Sequence, residues 1–132
     1  LVLSGRIAHP RSYSASDLAA LPAATVEVPA SGKPDAPRTT YGGTLLWPML
    51  EAAGWVDLPG RKTHLQHVIL AKGNDGYAVA LAIAELDPGL EGKQVIVATT
   101  QDGKPLAAPE LVVPGDKRAG RRVHGLVTID VQ

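Results

Sequence analysis

Hydrophobic residues recur at odd positions in the opening LVLSGRIA, with Leu1, Leu3 and Ile7 on what would be one face of a strand. SASDLAALP then offers Ser14 or Ser16 as a helix N-cap, Asp17 in the first turn and Pro22 as a stop, which predicts a helix of barely two turns. Ala24 to Val28 alternates and reads as a second strand. The stretch from Pro29 to Thr40, PASGKPDAPRTT, is too rich in Pro, Gly and Ser to be regular and is expected to form an exposed loop. In YGGTLLWPMLEAAG a strand end passes into a helix. Pro48 suits its first turn, Leu46, Met49, Leu50 and Ala53 share a buried side, and Gly54 suits the C-terminal cap.

HVILAKGNDGYAVALAI predicts two strands joined at Asn74-Asp75-Gly76, residue types that tolerate positive φ in tight turns. Its second half splits into large Tyr77, Val79, Leu81 and Ile83 against small Ala78, Ala80 and Ala82, and close packing is expected on the alanine side. After the break at Asp87-Pro88-Gly89, Gln94 to Thr100 is apolar enough for a central strand buried on both faces. A turn at Gln101 to Lys104 follows. LVV and then VHGLVTIDV supply the last strands, with Val123, Val127, Ile129 and Val131 facing one way. Six or seven short strands and two or three short helices predict an α+β fold with a mixed or mostly antiparallel sheet.

Composition narrows the classes. A chain of 132 residues with 45% hydrophobic and 20% charged residues suits one domain spanning 1–132 and a soluble mature chain, and no apolar run approaches the ~20 residues of a membrane span. Thirteen basic residues balance thirteen acidic ones, so no overall field draws the chain to nucleic acid or to an anionic membrane. The absence of cysteine excludes disulfides, thiolate metal ligands and a cysteine nucleophile. The start at Leu1 leads us to expect that an N-terminal segment has been removed, a secretory signal being one candidate.

Against that neutral background, Lys117, Arg118, Arg121 and Arg122 crowd the segment directly after Pro114-Gly115-Asp116. Free turn N–H groups with guanidinium forks suit a phosphate, a carboxylate or a polar heterocycle; basic turn residues are also commonly just solvated, and Asp116 can simply pair with a neighbouring arginine. Asn74, Asp75 and Tyr77 form a second candidate, in which a turn carboxylate meets a ligand's donor edge beside a stacking ring, although Asn-Asp-Gly is equally plain turn chemistry. Tyr41 and Trp47, at a strand-to-helix junction, raise the same choice. His64 and His67 are spaced H-x-x-H, but on a strand residues three apart point to opposite faces, so no shared ion is expected there. His9 and His124 have no carboxylate or second histidine at ligand spacing. Nucleophile-elbow, Walker and Rossmann patterns are absent, and no catalytic residue is nominated.

The order YGGTLLWPMLEAAG, NDGYAVAL, VIVATTQDGKPL, LVVPGD and a terminal VTIDV resembles the molybdopterin-binding domain of sulfite-oxidase-type oxidoreductases over about Tyr41 to Val131. The resemblance implies that fold, with molybdopterin and an oxidoreductase activity as one functional alternative. Two departures weigh against molybdenum. The family's ligating cysteine is missing, and no hydroxyl from Ser31, Thr39 or Thr40 replaces a soft thiolate. Glu110 stands where the family carries an arginine before "L-V-V-P", and it would repel a pterin-linked phosphate. PGDKRAGRRV, from Pro114 to Val123, is similar to small, single-domain, cysteine-free members of this fold, some of which are exported, bind a free pterin without molybdenum and relay it to a membrane-bound signalling protein. That kinship implies a non-catalytic domain in the periplasm or otherwise exported, no metal, a small polar heterocycle as ligand, and Asp116, Lys117, Arg118 and Arg121 as binding residues beside Tyr41, Asp75 and Tyr77. A third alternative is a protein-interaction module with a degenerate cleft.

Overall fold

A computed structural model of the chain describes residues 1–31 and 33–132; Gly32, inside the predicted proline-rich loop, lies outside the described residues. The described residues form an α+β fold with two sheets. The first has the order β2 (Arg11–Ser12), β1 (Val2–Gly5), β9 (Leu126–Val131), β5 (Val68–Gly73), β6 (Ala78–Ala82), antiparallel except for the parallel β1–β9 pair. The second is fully antiparallel: β3 (Ala24–Pro29), β4 (Arg38–Leu45), β7 (Ile96–Gln101), β8 (Lys104–Val112). Three short helices complete it, α1 (Ala15–Ala19), α2 (Leu46–Ala53) and α3 (Ile83–Leu86). No described helix is long and apolar enough to cross a membrane.

Helix α1 starts where its cap dictates: the Ser14 hydroxyl accepts the Asp17 N–H at 3.1 Å while the Asp17 carboxylate accepts the Ser14 N–H at 2.8 Å. Helix α2 buries Leu46, Met49, Leu50 and Ala53, the predicted stripe, and ends at Gly54 with φ 67°. That stripe joins Leu3, Ile69, Leu81 and Ile129 of the first sheet with Val97 and Leu111 of the second in the main core. Strand β7 is buried on both faces, as its continuous apolar run predicts. Val97 enters the main core, whereas Ile96 and Ala98 enter a smaller one with Val26, Val28, Tyr41 and Val112.

Several expectations shift. The alanine side of β6 faces solvent and Val79 and Leu81 face the core, because the core packs against one face of β6 only; Ile83 belongs to α3. Val127 is exposed, since the β5–β9 register slips between Lys72 and Gly73 and a bulge reverses the alternation. Strand β4 begins at Arg38, inside the predicted loop. Strand β8 is longer than LVV and contains Pro105 and Pro109, which it tolerates because it pairs only with β7 along the sheet and so leaves an outer edge free.

At Gly43, beside a bulge in the β4–β7 pairing, a Cβ would lie 2.0 Å from the Val97 carbonyl oxygen. The two central strands would have to part to admit it. Gly43→Ala is therefore expected to cost about 3 kcal/mol or more, against less than about 0.5 kcal/mol for Gly120→Ala, which meets nothing within 4 Å, as measured by urea unfolding.

Candidate functional site

The basic segment leaves β8 through Val113 and the Pro114-Gly115 turn and closes on a 3-10 turn at Ala119–Arg121. Its central contact is internal. Arg121 grips Asp116 with both fork arms, Nε donating to Oδ2 at 2.9 Å and Nη2 to Oδ1 at 2.7 Å, while Nη1 donates to Glu85 Oε1 at 2.8 Å. Lys93 Nζ stands 3.3 Å from the same Glu85 oxygen and 3.6 Å from Asp116 Oδ1. Two carboxylates and two cations thus neutralise one another. The hydrogen bond from Arg121 holds the Asp116 carboxyl below its ordinary range, and the charges of Arg121 and Lys93 reinforce this against burial. Burial pushes Glu85 up, but the Ala82 N–H and the Arg121 and Lys93 donors more than reverse it. Arg121 is shifted upward by its bonds to Asp116 and Glu85.

The second candidate cluster braces this loop. Asp75 Oδ1 accepts the Tyr77 N–H at 3.0 Å and so shapes its own turn. The half-exposed Tyr77 donates its hydroxyl hydrogen to the Gly120 carbonyl. Asp75, Tyr77, Asp116 and Arg121 are therefore tied together, with their polar groups engaged within the protein. Lys117 and Arg118 are exposed and make no ion pair among the described residues.

Tyr41 sits apart, in the smaller core, and its partner is the arginine that the sequence left aside. The Arg122 guanidinium carbon lies 5.3 Å from the Tyr41 ring centroid, and its two terminal nitrogens donate at 3.1 Å to the carbonyls of Ala30 and Pro29. Arg122 thus closes the second face of the β3–β4–β7–β8 sheet and anchors the proline-rich loop. Glu110 shares this face and is buried; its Oε1 lies 3.0 Å from Nδ1 of the exposed His124 but lacks a well-angled hydrogen bond. Burial pushes the Tyr41 phenol up; Arg122 works against it and Glu110 with it. A legible signal existed: Arg122 and His124 flank the buried Val123, which bridges to Leu111, so both must point to the face of Glu110 and Val112.

Between the β3 end and the basic loop runs an open groove of about 280 Å³, bordered by Glu27, Pro34, Arg38, Asp116 and Lys117. A small adjoining cavity reaches Arg118 and Arg122. Away from this groove, Thr63–Gln66 is a 3-10 turn and not a strand, so His64 and His67 share a side, and the reason given against a shared ion fails there.

No protein-family model and no curated protein matches the chain. Among solved structures it is similar to the sulfane dehydrogenase SoxCD from Paracoccus pantotrophus, with a TM-score of 0.75 at 16% identity over 99% of this chain. The fold is of the sulfite-oxidase type. The chain spans 37% of the length of that SoxCD chain. The residues present do not fit the molybdenum centre that such a fold implies. None of the 132 residues offers a thiolate, and Glu110 is buried with an oxygen that lacks a hydrogen-bond partner.

The carboxylates of Asp116 and Glu85 titrate below their unfolded values, so their stabilisation is present above about pH 4 and is lost as the pH falls through the depressed pKa values. Asp116→Asn is expected to lower stability at pH 7 by about 1–2 kcal/mol and to flatten this acid limb, as read from thermal unfolding between neutral and acid pH. Side chains that remain 19–26% exposed keep the loss below that of a fully buried pair.

Proposed function

We propose that the chain is a non-catalytic binding domain for a small polar heterocycle of the pterin class, taken up without molybdenum. The observation that carries this reading is a sulfite-oxidase-type fold whose donor set contains no thiolate. A reduced pterin is flat and uncharged, with a donor-rich edge for a carboxylate and a ring carbonyl for a cation. The groove beside β3 offers both kinds of group, with the exposed pair Glu27 and Arg38 on one side and the exposed Lys117 on the other, and Arg118 lines the small cavity that adjoins it. Arg121 and Asp116 act as the frame that holds this rim, because their forks are spent on one another. The resemblance of PGDKRAGRRV to exported pterin-binding proteins is the ground for a periplasmic setting and a membrane-bound signalling partner.

A second reading, a protein-interaction module, is favoured by the same closed ion-pair network, which leaves few loop charges free for a small anion. A molybdopterin-dependent oxidoreductase is the third reading, and the donor set argues against it.

Calorimetric titration with a tetrahydropterin separates them. Arg118→Ala is expected to weaken binding about tenfold while shifting Tm by less than about 2 °C, because the side chain is exposed and unpaired. Arg121→Ala should lower Tm markedly. A well-folded chain that binds no reduced pterin would favour the interaction module, and stoichiometric molybdenum in the purified protein would overturn the metal-free reading.

A further inference from the structure

Asp57, His64 and His67 each present a ligand atom, and the three atoms lie within 4.8 Å of one another. Two elements bring them together. Asp57 follows Trp55, whose backbone pairs with Ile7, and the 3-10 turn at Thr63–Gln66 places His64 and the following His67 on one side. His67 Nε2 is 2.7 Å from Asp57 Oδ1, and His64 Nδ1 is 3.8 Å from the same oxygen. Zinc bonds of ~2.0–2.1 Å in tetrahedral array separate ligand atoms by about 3.3 Å, a value these two distances bracket.

The outer partners set which nitrogens face inward. His67 is buried, with Nδ1 turned outward 3.0 Å from the Gln132 carbonyl oxygen and Nε2 turned inward 2.7 Å from Asp57 Oδ1; both oxygens only accept, and a neutral imidazole has one N–H for the two. For His64 the roles reverse. Nε2 lies 3.4 Å from Asp87 Oδ2, leaving Nδ1 as the free lone pair, and that Nδ1 is buried without a hydrogen-bond partner. Each ring thus has an acceptor behind it and turns its other nitrogen toward a shared carboxylate, where a metal ion would be held by the nitrogen that lacks a hydrogen.

The surroundings fit a cation. Asp57 and Asp87 supply two negative charges against the single Arg6 that lines the neighbouring cavity. Trp55 packs on His64 with ring centroids 4.7 Å apart, shielding one side. A cavity of about 310 Å³, lined by Thr63, Gln66 and His67, lies alongside. We propose that Asp57, His64 and His67 form a binding site for a zinc-class divalent cation, with Asp87 and the Gln132 carbonyl as orienting partners. This site is independent of the pterin reading, and its metal has no part in that groove.

Titration of the metal-free full chain with Zn²⁺ is expected to show one ion per chain and to raise Tm at saturation. Co²⁺ in its place should give the intense visible bands of a tetrahedral site. Asp57→Asn and His64→Gln, at residues with 41% and 23% exposed side chains, should remain folded by circular dichroism and weaken Zn²⁺ binding at least 100-fold. Asp87→Asn should weaken it about tenfold. His9→Ala, at an exposed histidine outside the cluster, should leave affinity unchanged. A folded wild-type chain that takes up no stoichiometric Zn²⁺, or Zn²⁺ binding of unchanged affinity in both the Asp57 and His64 variants, would overturn the proposal.

Discussion

Burial on both faces of strand β7 is the constraint from which most of the architecture follows. A strand that sends Val97 one way and Ile96 and Ala98 the other needs cover on each side. The main core covers one side with α2 and the first sheet. The other side has only a small apolar cluster drawn from its own sheet, and a cluster that thin must be closed by something else. Arg122 does this with a flat guanidinium laid over Tyr41 and two hydrogen bonds to the chain beyond β3. An arginine can close an apolar face where a lysine cannot, because its plane stacks while its fork still reaches acceptors at the rim.

Neighbouring arginines consequently have opposite duties. Arg121 turns toward Asp116 and Glu85 and locks the loop to α3; Arg122 turns toward Tyr41 and locks the β3 end. Both are consumed by the fold, so the four-residue basic cluster presents only Lys117 and Arg118 to a ligand. Local charge in sequence is therefore a poor measure of available charge in space. The number of acceptors that the fold brings to each cation decides how much remains.

This limit separates what was legible in the residues from what was not. Helix α2 could be read in advance because its apolar stripe and Gly54 are local signals, and β7 because four consecutive apolar residues exclude a half-exposed strand. The sulfite-oxidase-type fold was legible only through the order of several short motifs. The misreadings share one cause, a neighbour distant in sequence. The bulge at Val127 of β9 exposes that side chain, the uncovered outer face of the first sheet leaves the β6 alanines in solvent, and the outer edge of β8 accommodates two prolines. Among the candidate site residues, Asp116 and Arg121 are five apart and their pairing could be anticipated, but Glu85 and Lys93 reach them from α3 and the turn beyond it. The relative placement of His64 and His67 was not legible because a period of two was applied to a stretch that turns with a period of three.

The missing cysteine bears on the same balance of charge. A thiolate ligand supplies negative charge and softness at one point, and a cleft built for it must hold cations for the rest of an anionic cofactor. Here Arg121 and Lys93 are answered by Asp116 and Glu85, Arg38 is answered by Glu27, and Glu110 is buried with an oxygen that lies 3.0 Å from His124 without a well-angled hydrogen bond. With its charges answered in this way the β3 rim sets up no strong net field, while Glu27, Arg38 and Lys117 place hydrogen-bonding groups of both kinds there. A ligand recognised on such a rim is selected by its donors and acceptors more than by its charge, which is why a neutral heterocycle is proposed for it.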